Sequence, residues 1–134
     1  MLFQTACHTD QGPVRSSNQD AYTVKTVRSK GEEIALAAIC DGMGGLAQGE
    51  VASARMVRGV EVWFRQAAPA ILAGRLPEGD LAAQWTELVQ SANQAIFRYG
   101  QARGARLGTT VTVLLLAGGR DYLLHVGDCR VYRI

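Results

Sequence analysis

Apolar and polar positions along the chain change period twice. In the first forty residues, three short apolar segments at 2–7, 21–27 and 33–40, separated by polar breaks, have the length and composition of strands. The third, EEIALAAIC, is nearly continuous in apolar residues after its first two, which predicts a strand covered on both faces. From Gly49 the period lengthens. Ala52, Met56, Val60, Trp63 and Ala67 recur every three to four residues and predict a helix over roughly 46–67. Pro69, Gly74, Pro77 and Gly79 are expected to break it, and Asp80 to cap a second amphipathic helix. The stripe of that helix is Leu81, Trp85, Leu88, Ala92, Ile96 and Tyr99, and its end falls near 100–104. Then TTVTVLLLA, the pair Gly118-Gly119 and RDYLLHV form a hairpin pattern, and CRVYRI reads as a last strand.

The predicted order is βββ, αα, βββ. Segregation of this kind favours an α+β fold, an antiparallel sheet with helices packed on its outside, and argues against a doubly wound nucleotide fold. No repeat divides the chain, and the Pro and Gly cluster between the helices is too short for a linker between domains. A last strand wants a partner, so the domain is expected to continue past residue 134.

Composition narrows the class further. The 134 residues are 48% hydrophobic and 19% charged, the balance of a chain that buries a core. The formal charge is +2 with basic residues scattered, so no partner of the nucleic-acid type is recruited. The longest apolar run, residues 34–40, is far short of the roughly 20 a membrane span needs. MLFQTACHTD lacks the features of an export signal, so a cytoplasmic location is expected. Cys7, Cys40 and Cys129 are widely spaced without a CxxC pair and read as small buried hydrophobes in a reducing compartment.

Candidate chemistry gathers in three places. Asp41-Gly42-Met43-Gly44-Gly45 lies where a buried strand meets a helix, so an acid is projected there beside glycines that allow close backbone approach. A carboxylate with an adjacent carbonyl is a hard donor set for Mg²⁺ or Mn²⁺; the competing reading is an ordinary Asp-Gly turn. Upstream, GPVRSSNQDAY puts Arg15 in a loop and Asp20 at the head of the second strand. Arg15 is either a solvated surface residue or a fork for phosphate oxygens, and Asp20 either a strand-start cap or part of a site. Downstream, HVGDCRVYRI places Asp128 at a tight connection, where it is a turn residue or a further acid of the site. His8 and His125 read as packed or backbone-bonded imidazoles, and GxSxG, P-loop and HExxH patterns are absent.

Together, TDQGPVRSSNQDAY, AAICDGMGGLAQGEVAS and GTTVTVLLLAGGRDYLLHVGDCRVYRI resemble the metal-dependent protein phosphatases (the PPM family, type 2C serine and threonine phosphatases), in particular the compact bacterial members. The resemblance spans essentially the whole chain and identifies residues 1–134 as the N-terminal portion of a single such domain. It implies a layered α-β-β-α sandwich of two antiparallel sheets flanked by helices. It also implies hydrolysis of phosphoserine or phosphothreonine in proteins by water activated at two Mg²⁺ or Mn²⁺ ions. By the resemblance Arg15 holds the substrate phosphate, Asp41 bridges the two ions, and Gly42 ligates one through its carbonyl. Asp20 supports the metals and Asp128 matches the acid of a third, weaker site. The implied partner is a phosphoprotein whose serine/threonine kinase is opposed.

Three departures qualify the match. Met43 stands where many eukaryotic members have a histidine, although bacterial members often carry Met. Gln19 replaces a frequent Glu, and Cys129 the usual Ser. The later acidic motifs, which add two aspartates to the metal centre, would lie beyond Ile134. The isolated chain is therefore expected to bind metal weakly and turn over poorly. Two alternatives follow: a catalytically inactive pseudophosphatase acting as an interaction module, and self-association through an exposed sheet edge.

Overall fold

The second and third apolar segments pair as a long hairpin, β1 (Asp20–Ser29) and β2 (Glu32–Gly44), in the computed structural model, which describes residues 2–45, 48–76 and 78–134. Two long helices follow, α1 (Gln48–Leu72) and α2 (Glu78–Arg103), and then β3 (Leu107–Thr109), β4 (Val111–Ala117) and β5 (Arg120–Val126). All pairings are antiparallel, with strand order β1-β2-β4-β5, and β3 pairs with the far end of β2. The architecture is α+β, as the segregated order implied: one antiparallel sheet backed by a helical pair.

The alternation decides which face is covered. Ile34, Leu36, Ala38 and Cys40 of β2 and Val111, Val113 and Leu115 of β4 are buried against α1, where Met56, Val60 and Phe64 meet them. Helix α1 lies across β2 and β1, while α2 packs on α1 and against β3. Trp63 and Trp85 join the helices edge-to-face at 5.5 Å, and the Trp63 indole N–H donates to Gln84 Oε1 at 2.8 Å. Both expected helical stripes face inward, although Ala67, Leu88, Ala92 and Tyr99 are only half-buried. No helix among the described residues is long and apolar enough to cross a membrane.

Several expectations are corrected. Residues 2–7 form no strand. Their apolar positions are adjacent rather than alternating, only Phe3 is half-buried, and the segment is tied by its Phe3 amide donating to Glu33 Oε2 at 2.8 Å. CRVYRI forms no strand either; it leaves the sheet after a bend at 127–128 and is tied back by Arg133 to Asp121 at 3.6 Å. Pro69 does not end α1, because Ala68 is buried and Ile71 and Leu72 still pack on the core, so side-chain burial holds the last turn beyond the proline. Helix α2 begins at Glu78, which puts Gly79 and Asp80 inside its first turn instead of at a cap. The expected helix start at Leu46 and the Pro77 break lie outside the described residues. Strand β2 is fully covered on one face only: on the other Ala35 is buried but Ile39 is 44% exposed, together with Tyr22 at 40% and Leu123 at 54%.

Candidate metal centre

The register of the first hairpin builds the site. Asp20, the first residue of β1, lies directly opposite Asp41 of β2. Strand β2 does not stop at Cys40; it continues to Gly44 because β3 supplies it with a new partner, Gly42 opposite Thr109 and Gly44 opposite Leu107. Asp41 therefore sits within a strand, at the point where its neighbours change from β1 and β4 to β3.

Hydrogen bonds fix that point. The Gly42 amide donates to the Gln19 carbonyl at 3.1 Å, and the Ser53 hydroxyl of α1 donates to the same oxygen at 2.6 Å. The Gln19 amide group donates to the Gly44 carbonyl at 3.1 Å, a tie that uses the amide nitrogen and that a Glu there could not make in its ionised state. Close approach explains the glycines: a Cβ on Gly42 would strike the Gly49 carbonyl, and one on Gly49 would come within 2.8 Å of the Gly42 carbonyl carbon. Only residues without side chains let the first turn of α1 sit against the end of β2.

A cleft of about 370 Å³ opens here, lined by Asp10, Arg15, Asn18, Asp20, Asp41 and Gly42 among others. Four of the five residues singled out in the sequence thus share one cleft. The fifth, Asp128, is exposed on the connection after β5 and does not line it, yet its charge reaches Asp41. The Asp41 carboxyl is held above its ordinary range, first by burial, then by the Asp20 carboxyl within hydrogen-bonding reach and by Asp128, against the lowering effect of Arg15. Cys40 behind it is pushed up to about 12, by burial first and then by Cys129, so its thiol stays protonated at neutral pH. His125 does not line the cleft; it is exposed with Nδ1 2.9 Å from the Thr112 hydroxyl, and His8 is exposed as well, so neither imidazole is packed or backbone-bonded as expected.

Like charges directly opposite in an antiparallel pair repel unless something neutralises them. Hard carboxylate oxygens beside a cleft fit Mg²⁺ or Mn²⁺, and Mg²⁺ is commonly held by one or two carboxylates with water completing the shell. Among the described residues no group of three His, Cys, Asp or Glu side chains is gathered as a closed metal cage. Asp20 and Asp41 are the carboxylates that the chain itself places opposite each other at the cleft for such an ion.

Sequence reasoning missed two residues. Asp10 lines the cleft, its Oδ1 accepting the Gly12 amide at 2.6 Å; the TDQG turn held the signal, but an Asx turn is a common local motif. Thr110 holds both backbone groups of Asp41, and the only hint was a pair of threonines leading into an apolar strand.

Comparison with known proteins agrees with this fold. The family model for protein phosphatase 2C matches residues 8–133. The serine/threonine protein phosphatase PstP of Mycobacterium tuberculosis is 35% identical over 134 residues, covering 98% of this chain and 23% of PstP. A putative protein phosphatase 2C-type of Streptococcus pyogenes is 33% identical over 126 residues, covering 92% of this chain and 47% of its own. Among solved structures, Mycobacterium tuberculosis PstP/Ppp superposes with a TM-score of 0.67 at 32% identity, covering 90% of this chain and 45% of the other. The PstP catalytic domain in complex with 2 manganese ions gives 0.64 at 33% identity, over 90% and 46%. The chain thus spans about half the length of the solved structures it matches, and a smaller share of full PstP. With the three matching segments meeting around the Asp20–Asp41 pair, and with a family model that covers nearly its whole length, this chain belongs to the protein phosphatase 2C family.

Proposed function

We propose that residues 1–134 form the N-terminal portion of a single phosphatase domain that hydrolyses phosphoserine and phosphothreonine in proteins. The observation that carries this reading is the pairing of Asp20 with Asp41 across one ladder, beside Arg15 in one cleft. Asp41 and Asp20 are the carboxylates that hold Mg²⁺ or Mn²⁺, with the Gly42 carbonyl as a neutral ligand and Asp128 serving a weaker outer site. A divalent ion bound there supplies Lewis acidity and an activated water. The manganese-bound PstP domain supports a pair of ions, for which this chain contributes one side of the ligand set.

The chain's own residues do the rest. Arg15, on a loop at the cleft rim, offers two parallel N–H donors to phosphate oxygens, which orients the ester and offsets charge that builds on them in the transition state. Met43 cannot give a proton, so the leaving oxygen takes one from water or from another group. No side-chain nucleophile is invoked, since no Ser, His and Asp arrangement or GxSxG pattern stands in the sequence. The substrate is a phosphoprotein, the opposing enzyme a serine/threonine kinase, and the compartment cytoplasmic. A second reading, a non-catalytic interaction module, is favoured by one observation, the lack of a three-acid cluster among the described residues.

The test is Mn²⁺ binding, and Mn²⁺-dependent hydrolysis of an aryl phosphate, by the chain and by Asp41→Asn, with a longer chain carrying the later acidic motifs beside them. Metal binding that Asp41→Asn abolishes, with turnover in the longer chain, upholds the phosphatase reading. Metal-independent partner binding that survives the substitution, without turnover in either chain, upholds the other.

A further inference from the structure

We propose that Thr110 is the positioning residue of this site, its hydroxyl standing in for a backbone acceptor so that Asp41 and the turn carrying Asp128 are held by one side chain. The inference rests on the metal reading above and extends it to a residue outside the cleft.

The β2–β4 ladder places Ile39 opposite Thr112, and the β2–β3 ladder places Gly42 opposite Thr109. The same register sets Asp41 opposite Thr110, at the gap between the two ladders. In a hydrogen-bonded antiparallel pair each residue donates its N–H to the other's carbonyl. Here one bond is ordinary, the Thr110 amide donating to the Asp41 carbonyl at 2.9 Å. The return bond is not: the Asp41 amide donates to Thr110 Oγ1, also at 2.9 Å. The Thr110 carbonyl so released accepts the Thr109 hydroxyl at 2.8 Å. A side-chain oxygen in place of a carbonyl lets the two strands part at Asp41 while its N–H stays satisfied.

The same side chain reaches the opposite wall. Thr110 Oγ1 lies 3.3 Å from Cys129 Sγ, and a Cβ on Gly127, whose φ is 119°, would come within 2.5 Å of Thr110 Cγ2. Thr110 is 5% exposed, so neither contact is a loose surface encounter. Hydroxyl and methyl thus divide the work: the hydroxyl fixes Asp41 and touches Cys129, and the methyl packs on Gly127, leaving Asp128 between two anchored neighbours. Residues that orient a metal ligand in this indirect way typically change metal affinity by about 10- to 100-fold when removed.

The experiment compares wild type, Thr110→Val and Thr110→Ser by Mn²⁺ titration with electron paramagnetic resonance, and by hydrogen exchange of the Asp41 amide in metal-free protein. Valine keeps the shape and removes the hydroxyl; serine keeps the hydroxyl and removes the methyl. Expected are a loss of Mn²⁺ affinity of about 10-fold or more in Thr110→Val with faster exchange at Asp41, and near wild-type values in Thr110→Ser. A folded Thr110→Val with wild-type Mn²⁺ affinity overturns the inference alone, since a structural threonine would lower stability without moving affinity. Should the valine variant fail to fold, Thr110→Ser decides: retained affinity upholds the hydroxyl's role, and lost affinity in a folded serine variant overturns it. Absence of Mn²⁺ binding by wild type overturns the metal reading itself, a different result from either variant outcome.

Discussion

Asp20 and Asp41 face each other across a ladder, an arrangement that costs stability in the absence of a cation and is useful in its presence. Asp41→Asn removes one of the two charges, so metal-free protein is expected to gain about 0.5 kcal/mol in stability, read as a higher melting temperature. The same variant is expected to lose Mn²⁺ affinity by more than about tenfold. A fall in stability on substitution would mean that the pair is not repulsive and that something other than a cation already compensates it. At this scale Arg15, Asp20, Asp41 and Gly42 stood out in the sequence because charged residues and glycine appear there at the ends of apolar strand patterns or in the polar loop before them. Asp10 and Thr110 were not, because an Asx turn and a strand threonine are each explained locally.

Element packing sets how firmly the site is held. Helix α1 is docked on β1 by the Thr23 hydroxyl donating to Glu61 Oε1 at 2.6 Å, with Lys25 Nζ 3.5 Å from the same oxygen. The Thr23 bond first, and Lys25 after it, hold the Glu61 carboxyl below its usual range. A depressed carboxyl stabilises the fold above its unfolded value and loses that contribution as pH falls through the folded one. Thr23→Val is therefore expected to cost about 1 kcal/mol at neutral pH, and to flatten the acid side of the stability curve; parallel curves for the two proteins would remove Glu61 from the account. Gly49→Ala tests the approach of α1 to β2. Its Cβ would sit 2.6 Å from Gln19 Oε1 and 2.8 Å from the Met43 amide nitrogen, so a loss of about 1–3 kcal/mol is expected in denaturant unfolding. Both helices were visible from their stripes, but their ends were not: Pro69 is overridden by burial on either side of it, and Asp80 falls inside the first turn.

Across the whole molecule, helices cover one face of the sheet, and the other carries Tyr22, Ile39 and Leu123 in the open, with Val24, Ala37, Leu114 and Leu116 half-buried between them. An exposed apolar surface of this kind takes up apolar probes from solution. The chain on its own is expected to bind a hydrophobic dye, and Ile39→Glu with Leu123→Glu to reduce the signal while leaving the melting temperature close to wild type. Unchanged dye binding in the double variant would place the apolar surface elsewhere. Among the described residues β1 and β5 have no partner on their outer edges, so sedimentation at micromolar concentration is the direct check on self-association; a clean monomer would end that idea.

The sequence by itself determined the α+β order, the two helical stripes, the central strands and the three segments that bear the candidate chemistry. These depend on periodicity and on local residue type, which a chain carries with it before it folds. Tertiary structure alone decided that β2 runs on past Asp41, that Asp20 stands opposite Asp41, and that Thr110 ties that strand to the Asp128 turn. Each of these is a pairing between residues 19 to 69 positions apart, or depends on one, and no local pattern encodes the register in which such segments meet.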